Sequence, residues 1–445
     1  MNKNDEIILE ITSTSTEGFG VGKHGGIAVF VPNTAEGDVA LIKILKVKKT
    51  YCYGKLLELK TPSPSRTEPD CATFLQCGGC AYRHITYTKE CQIKSQKVYD
   101  CIKRIGGIDL PPEPIISANN ILGYRNKAQL PFSQNHNTGF YDLHSHRIVE
   151  TENCLLSPQV FNEIAATTSR WAKKYNISVY NEAANTGLLR HLYLRIAKAT
   201  NEIMVVLVIN GSDIPFKEEL LCELKKFTAL KSIGLNINKM QTNVILGNTC
   251  KTLYGQDYIT DILCGVKIRI SALSFYQVNR DMTELLYKKA AEYAEPKNKN
   301  ILDLYCGAGT IGLSMADAAK SVTGVEIIPE AINDAKINAQ ENGLTNTTFI
   351  CADATVAAND LNNQNYKADV VILDPPRKGC EEQLIKTVAT GFAPKKVVYI
   401  SCDPATLARD AKLFDSLGYK LVKYTPVDLF PRTHHIETVA LFKKV

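Results

Sequence analysis

Apolar and polar positions alternate in short runs over the first sixty residues. Glu6-Ile-Ile-Leu-Glu-Ile11, Ile27-Ala-Val-Phe-Val31 and residues 39–47 and 51–59 read as strands, with the glycines at 18, 20, 22, 25 and 26 as turn punctuation. Short strands at this spacing predict a small OB-like barrel over residues 1–61. Thr61-Pro-Ser-Pro-Ser-Arg66 marks a linker. A helix is predicted over about 88–105, stopping at Gly106-Gly107. Residues 62–270 mix strands (192–196, 203–209) with helices and form a central α+β domain. From residue 271 the pattern becomes a regular strand and helix alternation. Strands are predicted at 301–304, 321–326, 348–351, 370–373, 397–401 and 439–442, and helices at 329–342 and 404–417. Such repeats predict an open parallel sheet covered on both faces, with the ligand beyond the carboxyl ends of its strands.

Composition narrows the class. At 45% hydrophobic and 22% charged, with 27 Gly and 18 Pro in 445 residues, the chain is neither collagen-like nor largely disordered. The longest fully apolar run, 203–209, is far short of the roughly 20 residues that span a bilayer, and the N-terminus lacks a signal-peptide pattern. A cytoplasmic protein without membrane association is expected, monomeric by default. Fourteen cysteines in a reducing compartment point to a metal or cluster site, or to a catalytic thiolate. The net charge of +6 is compatible with an RNA partner. Its distribution is more telling: Lys43, Lys46, Lys48, Lys49, Lys55 and Lys60 share the 42–60 stretch with one acid, Glu58. Taken alone, a solvated basic face is the favoured explanation of this stretch.

Asp303-Leu-Tyr-Cys-Gly-Ala-Gly-Thr-Ile-Gly312 follows the first strand of the last third and opens a helix. Gly307, Gly309 and Gly312 fit the G-x-G-x-x-G pattern, which lets backbone approach a nucleotide closely. Glu326 ends the second strand, where a carboxylate can accept from both ribose hydroxyls. Asp353 ends the third and could bond an adenine amino group. A nicotinamide dinucleotide would suit these features too. The fourth strand ends Asp374-Pro-Pro-Arg-Lys-Gly379, and Asp-Pro-Pro at that place resembles S-adenosylmethionine-dependent methyltransferases.

Cys402, in Tyr399-Ile-Ser-Cys-Asp-Pro-Ala-Thr406, is predicted at the active edge of the sheet. A helix begins just after it, and a helix N-terminus favours the thiolate. Glu437, in His434-His-Ile-Glu437, precedes the last strand and is a candidate general base. Free cysteines are often simply core residues, and Cys222, Cys264, Cys351 and Cys380 are read that way.

Together, the Asp374, Tyr399 and His434 motifs resemble the RNA uracil-5-methyltransferase family, which includes bacterial 23S ribosomal RNA and tRNA enzymes. The resemblance spans essentially the whole chain. It implies an N-terminal TRAM domain (a small RNA-binding barrel), a central domain and, over 271–445, a Rossmann-like α/β methyltransferase domain. It also implies Cys402 as nucleophile, Glu437 as base, and S-adenosylmethionine held by Gln277, Tyr305, Gly307, Gly309, Thr310, Glu326, Asp353 and Asp374. Asp403 departs from the Asn of many members.

Cys71, Cys77 and Cys80 lie within ten residues. The resemblance supplies Cys154 as a fourth ligand. Thiolates suit zinc or an iron–sulfur cluster, and the resemblance to cluster-containing ribosomal RNA enzymes implies [4Fe–4S]. The expected substrate is 23S ribosomal RNA, with tRNA second. Arg125, Lys127 and Arg147 are further candidates for the RNA backbone. A non-catalytic RNA-binding iron–sulfur protein and an NAD-dependent oxidoreductase are the readings from other classes.

Overall fold

The N-terminal strands form one sheet in the computed structural model, which describes residues 1–143 and 145–445. They are β1 (Glu6–Glu10), β2 (Ser13–Thr14), β3 (Gly20–His24), β4 (Ile27–Val31), β5 (Val39–Val47) and β6 (Tyr51–Thr61), in the order β1-β5-β6-β4-β3-β2. Alternation along β5 puts Ala40, Ile42 and Ile44 into a core with Leu9, Val29, Val31 and Cys52. The residues read as glycine turns include a strand, β3. A Cβ at Gly22 would lie 2.2 Å from the Glu10 carbonyl oxygen, so these glycines allow close packing within the sheet. Lys46, Lys48, Lys49, Lys55 and Lys60 are exposed. Phe30, Tyr51 and Tyr53 form a ring cluster on the same sheet, with centroids 5.6–5.9 Å apart.

This sheet belongs to a compact unit of Met1–Lys97, Tyr141–Val149 and Phe430–Ile436. Helix α1 (Tyr87–Arg104) begins in it. Glu90 and Lys94, fully buried, pair at 2.7 Å. Lys94 Nζ also donates to the Phe430 carbonyl (3.1 Å), and the Arg432 amide donates to Glu90 Oε1 (2.7 Å). Arg432 takes a left-handed φ of 69° and donates to the Ile85 carbonyl. The segment just before Glu437 is therefore clamped by a buried ion pair.

The second unit comprises Val98–Phe140, Glu150–Leu429 and Glu437–Val445. It contains β7 (Lys127–Pro131), α2 (Gln159–Lys174), β10 (Leu189–Ala197), β11 (Glu202–Ile209), α3 (Lys217–Leu224), β12 (Leu230–Ile237) and β13 (Thr249–Gly255), while the residues of the short β8 (Gly139–Tyr141) and β9 (Ile148–Glu150) are divided between the two units. The five-stranded sheet runs β13-β12-β11-β10-β7, over a core with Phe161, Ile164 and Trp171 of α2. The hairpin β14 (Tyr258–Leu263) and β15 (Val266–Ser271) leads into α4 (Arg280–Ala294). The sheets change over near residue 270.

The last sheet uses β16 (Asn300–Leu304), β17 (Ser321–Glu326), β18 (Thr347–Cys351), β19 (Val370–Leu373), β20 (Lys396–Ser401), β21 (Tyr419–Val427) and β22 (Glu437–Lys444). Its order is β18-β17-β16-β19-β20-β22-β21. Helices α5 (Thr310–Met315), α6 (Pro329–Glu341), α7 (Ala354–Asn363), α8 (Glu382–Lys386) and α9 (Pro404–Ser416) lie between strands. The first five strands in space are parallel, but β22 runs antiparallel to both β20 and β21. The all-parallel expectation fails at this edge: a strand at 419–427 leads straight into β22 without a crossover helix. That reversal brings residue 437 to the carboxyl end of β20. Among the described residues no helix is long and apolar enough to cross a membrane.

Candidate active site

The switch in strand order between β16 and β19 opens the crevice where a ligand is expected. The glycine loop after β16 lies at its edge. Gly309 takes φ +78° and caps α5. A Cβ at Gly312 would meet Val322 Cγ1 at 2.8 Å and Asp303 Oδ2 at 3.0 Å. Asp303 is wholly buried. Its Oδ2 accepts from the Gly312 amide (2.9 Å), while Oδ1 is buried with no partner. Burial, then the charges of Asp374 and Glu326, push its carboxyl up to about 8.

Glu326, at the end of β17, accepts from the amides of Gly307 (3.2 Å), Ile327 (2.9 Å) and Ile328 (3.0 Å). Asp353 is exposed and caps α7, with Oδ1 accepting from Thr355 and Val356. Thr310 pairs with the deeply buried Tyr287 hydroxyl at 2.8 Å. Tyr305, half-buried, holds a left-handed φ of 68°.

Gln277 is held from behind: its carbonyl accepts from Asn126 Nδ2 at 2.8 Å. Tyr276 donates to Asp261 (3.0 Å) and Ser274 Oγ to Asp334 (2.7 Å). Between these anchored neighbours Phe275 is left 69% exposed. Sequence reading assigned it no role, yet an exposed aromatic held so firmly is a ready stacking surface for a base.

Cys402 and Glu437 come together through strand register. Ser401 of β20 stands opposite Thr438 of β22, so the next residue on each side, Cys402 and Glu437, meets at the same edge. Glu437 is buried and Cys402 half-buried. Asp374 follows β19, beside β20. The groups sense one another. Burial, then Glu437 and Asp374, push the Cys402 thiol up to about 11, against a lowering by Arg377. Burial and Asp374 raise Glu437 well above the usual carboxylate range, with Arg377 again opposing. Burial alone pushes Asp374 up to about 7. Arg377, exposed, is thus the cation of this group, and sequence reading gave it no task.

This reverses the expected acidity of Cys402. The amides at the start of α9 are taken by Asp403, whose Oδ1 accepts from Ala405 (2.8 Å) and Thr406 (3.1 Å). A capping carboxylate offsets the positive helix end that would have favoured the thiolate. Ligand-free, Cys402 is a thiol at neutral pH. Below that raised value its thiolate fraction grows about tenfold per pH unit. Alkylation of Cys402 by iodoacetamide, followed by peptide mass mapping because Cys222, Cys250 and Cys351 are exposed too, is therefore expected to accelerate about tenfold per unit from pH 7 to 10. A rate already flat above pH 7 would restore the acidic thiol.

Cys71, Cys77 and Cys80 are half-buried thiols of the first unit, and Cys154 is a half-buried thiol of the second. Cys77 Sγ accepts from the Gly79 amide and Cys80 Sγ from Arg83 Nε, both at 3.4 Å. Among the described residues no three His, Cys, Asp or Glu side chains are gathered closely enough to hold a metal ion. The donor type suits a cluster.

Residues 120–445 match the family described as tRNA (Uracil-5-)-methyltransferase, and residues 3–57 match the TRAM domain. The chain belongs to the tRNA (uracil-5-)-methyltransferase family. Proteins from Clostridium tetani (43% identical; 99% of this chain, 97% of the relative) and Bacillus cereus (42%; 100% and 98%) are each named an uncharacterized RNA methyltransferase. A solved structure of the Pyrococcus abyssi tRNA (uracil-54, C5)-methyltransferase in complex with S-adenosyl-L-homocysteine aligns over 98% of this chain and 100% of its own, with a TM-score of 0.81 and 28% identity. The uracil-5-methyltransferase family is S-adenosylmethionine-dependent, and the site suits that donor. Asp303 and Glu326 accept from amides of the glycine loop, and one buried oxygen of Asp303 awaits a hydrogen-bond donor. A ligand with an ammonium, a sulfonium and ribose hydroxyls answers that donor set.

Proposed function

We propose that this uracil-5-methyltransferase methylates carbon 5 of a uridine in 23S ribosomal RNA, with Cys402 as nucleophile and Glu437 as base. The observation that carries the reaction is the meeting of these two side chains at the end of β20, beside Asp374. Cys402 Sγ adds to carbon 6 of the uracil, and the ring electrons collect as an enolate that makes carbon 5 nucleophilic. S-adenosylmethionine, when bound, supplies the electrophilic methyl group. Glu437 then takes the proton left on carbon 5, the bond from Sγ to carbon 6 breaks, and the thiolate of Cys402 returns. Arg377 lowers the proton affinity of both residues. The remaining cofactor roles proposed are those of Gln277, Tyr305, Gly307, Gly309, Thr310, Glu326, Asp353 and Asp374. Asp353 would act through the oxygen not used in capping α7.

Support for ribosomal RNA comes from the cysteines and the basic N-terminal sheet. A second reading, tRNA, is favoured by one observation: the archaeal tRNA enzyme matches the chain over nearly its full length. Methylation of undermodified total bacterial RNA with labelled S-adenosylmethionine, then nucleoside analysis of separated RNA species, distinguishes them. Label as 5-methyluridine in the 23S fraction supports the proposal. Label in tRNA keeps the chemistry and replaces the substrate.

The cysteines carry a separate proposal on donor type alone: Cys71, Cys77, Cys80 and Cys154 as ligands of a [4Fe–4S] cluster, with no part of the methyl transfer assigned to it. Anaerobically prepared protein is expected to hold about four iron and four sulfide per chain, and Cys77→Ser to lose them. A chain without iron or sulfide sinks this proposal and leaves the methylation reading standing.

A further inference from the structure

Strands β7 and β10 pair antiparallel, and their register sets Lys127 directly opposite Arg195. Like charges in that relation repel. Arg125 precedes Lys127 by two residues, just ahead of β7, and its charge bears on Lys127. Some of the buried charge in this fold is matched, as in Lys94 with Glu90 or Asp38 with Arg66. Here it is not: among the described residues neither Lys127 nor Arg195 has a carboxylate within ion-pair distance. The acid that Arg195 influences, Asp334, is already bonded by Ser274 Oγ at 2.7 Å. Burial, then Arg195 and Arg125, hold the Lys127 ammonium down to about 8.

The cations are also built in. Arg195 is 4% exposed, with Nε donating to the Tyr193 hydroxyl (2.5 Å) and Nη2 donating to the Ser274 carbonyl. Asn126, between Arg125 and Lys127, receives the Gln277 carbonyl on its side chain and donates its own amide to the Val278 carbonyl (2.8 Å). Both ends of the 274–277 segment, which presents Phe275, are thus tied to this basic strand pair.

We propose that Arg125, Lys127 and Arg195 form a seat for one backbone phosphate of the RNA, next to the nucleotide whose base is methylated. The proposal rests on the RNA-methylation reading and adds where the sugar–phosphate chain is gripped. A phosphodiester resolves the like-charge pair, and the repulsion in the free protein keeps the seat ready for an anion. Arg195 acts mainly by position, since it is spent on Tyr193 and Ser274. Lys127 and Arg125, half-buried, supply the reachable donors.

The test uses the full chain with Lys127→Met and Lys127→Arg. The probe is an unmodified 23S ribosomal RNA or tRNA transcript, whichever the wild type binds more tightly. Affinity is read against salt concentration. Lys127→Met is expected to flatten the slope of log affinity against log salt by about 0.7–0.9, one phosphate contact, and Lys127→Arg to keep it. Lys127→Met is also expected to melt at or above the wild-type temperature, because it removes a repulsion, and to bind S-adenosylmethionine as the wild type does. An unchanged slope overturns the seat. So does a lowered melting temperature, which would make Lys127 structural. Lost S-adenosylmethionine affinity would give the cations to the carboxylate of the donor instead. Because the slope is read on binding, a wild type that binds RNA but methylates none would overturn the functional reading and not this one.

Discussion

Replacing Cys402 by alanine is expected to lower methyl transfer by at least about 10³-fold, the scale seen when a covalent nucleophile is removed. Carbon 5 of an intact uracil is a poor nucleophile, and nothing else at the end of β20 can open the 5,6 double bond. Ser401 Oγ is committed to the Asp403 carbonyl at 2.8 Å. Cys306 is buried, and burial raises its thiol further from ionisation. The glycine loop, Glu326 and Asp374 are untouched by the change, so S-adenosylmethionine should bind as before. The melting temperature should stay within about 2–4 °C, what a change of ~1 kcal/mol produces in a domain of 150–250 residues. The measurement is labelled-methyl incorporation into RNA beside calorimetric binding of the donor. A variant that keeps a tenth of the wild-type rate would remove Cys402 as nucleophile.

Glu437→Gln is expected to separate the two halves of the reaction. Addition and methyl transfer need the thiol, and release needs a base at carbon 5. The substitution keeps the shape of a residue 4% exposed and removes its basicity. Turnover should fall about 10²–10⁴-fold, the usual contribution of a positioned base. A covalent protein–RNA species carrying the labelled methyl should accumulate on a denaturing gel, and should be absent when Cys402→Ala is added. The pH dependence follows from the raised proton affinity of Glu437. Its base form is scarce below its pKa, so the release step in the wild type should speed up as pH rises through that value. The glutamine variant should lose this limb. Normal turnover by Glu437→Gln would assign the proton to another group.

Strand ends were legible because a parallel sheet concentrates function there: Asp303, Glu326, Asp374 and Cys402 each close or follow an apolar run. What escaped was set by groups distant in sequence. Glycine usually signals a turn, so β3 was hidden, although Gly20 and Gly22 serve a crowded sheet. The proton affinity of Cys402 depends on Glu437 and Asp374, 35 and 28 residues away, and on a cap that a local reading counted only as a helix start. Arg377 sat inside a quoted motif and Phe275 two residues before Gln277, but their exposure, the property that points to a partner, is a fact of the folded chain. The cysteines were legible as a spacing pattern.

The buried pair on α1 has a consequence for how the chain is made. Glu90 and Lys94 are emitted early by the ribosome, yet the groups that satisfy them, the Phe430 carbonyl and the Arg432 amide, lie 336 and 342 residues further on. At about 5–20 residues per second the wait is roughly 20–70 s. Through that interval the N-terminal unit has its sheet but lacks part of its own interior. Its completion waits for residues 430–432, and so nearly coincides with the arrival of Glu437.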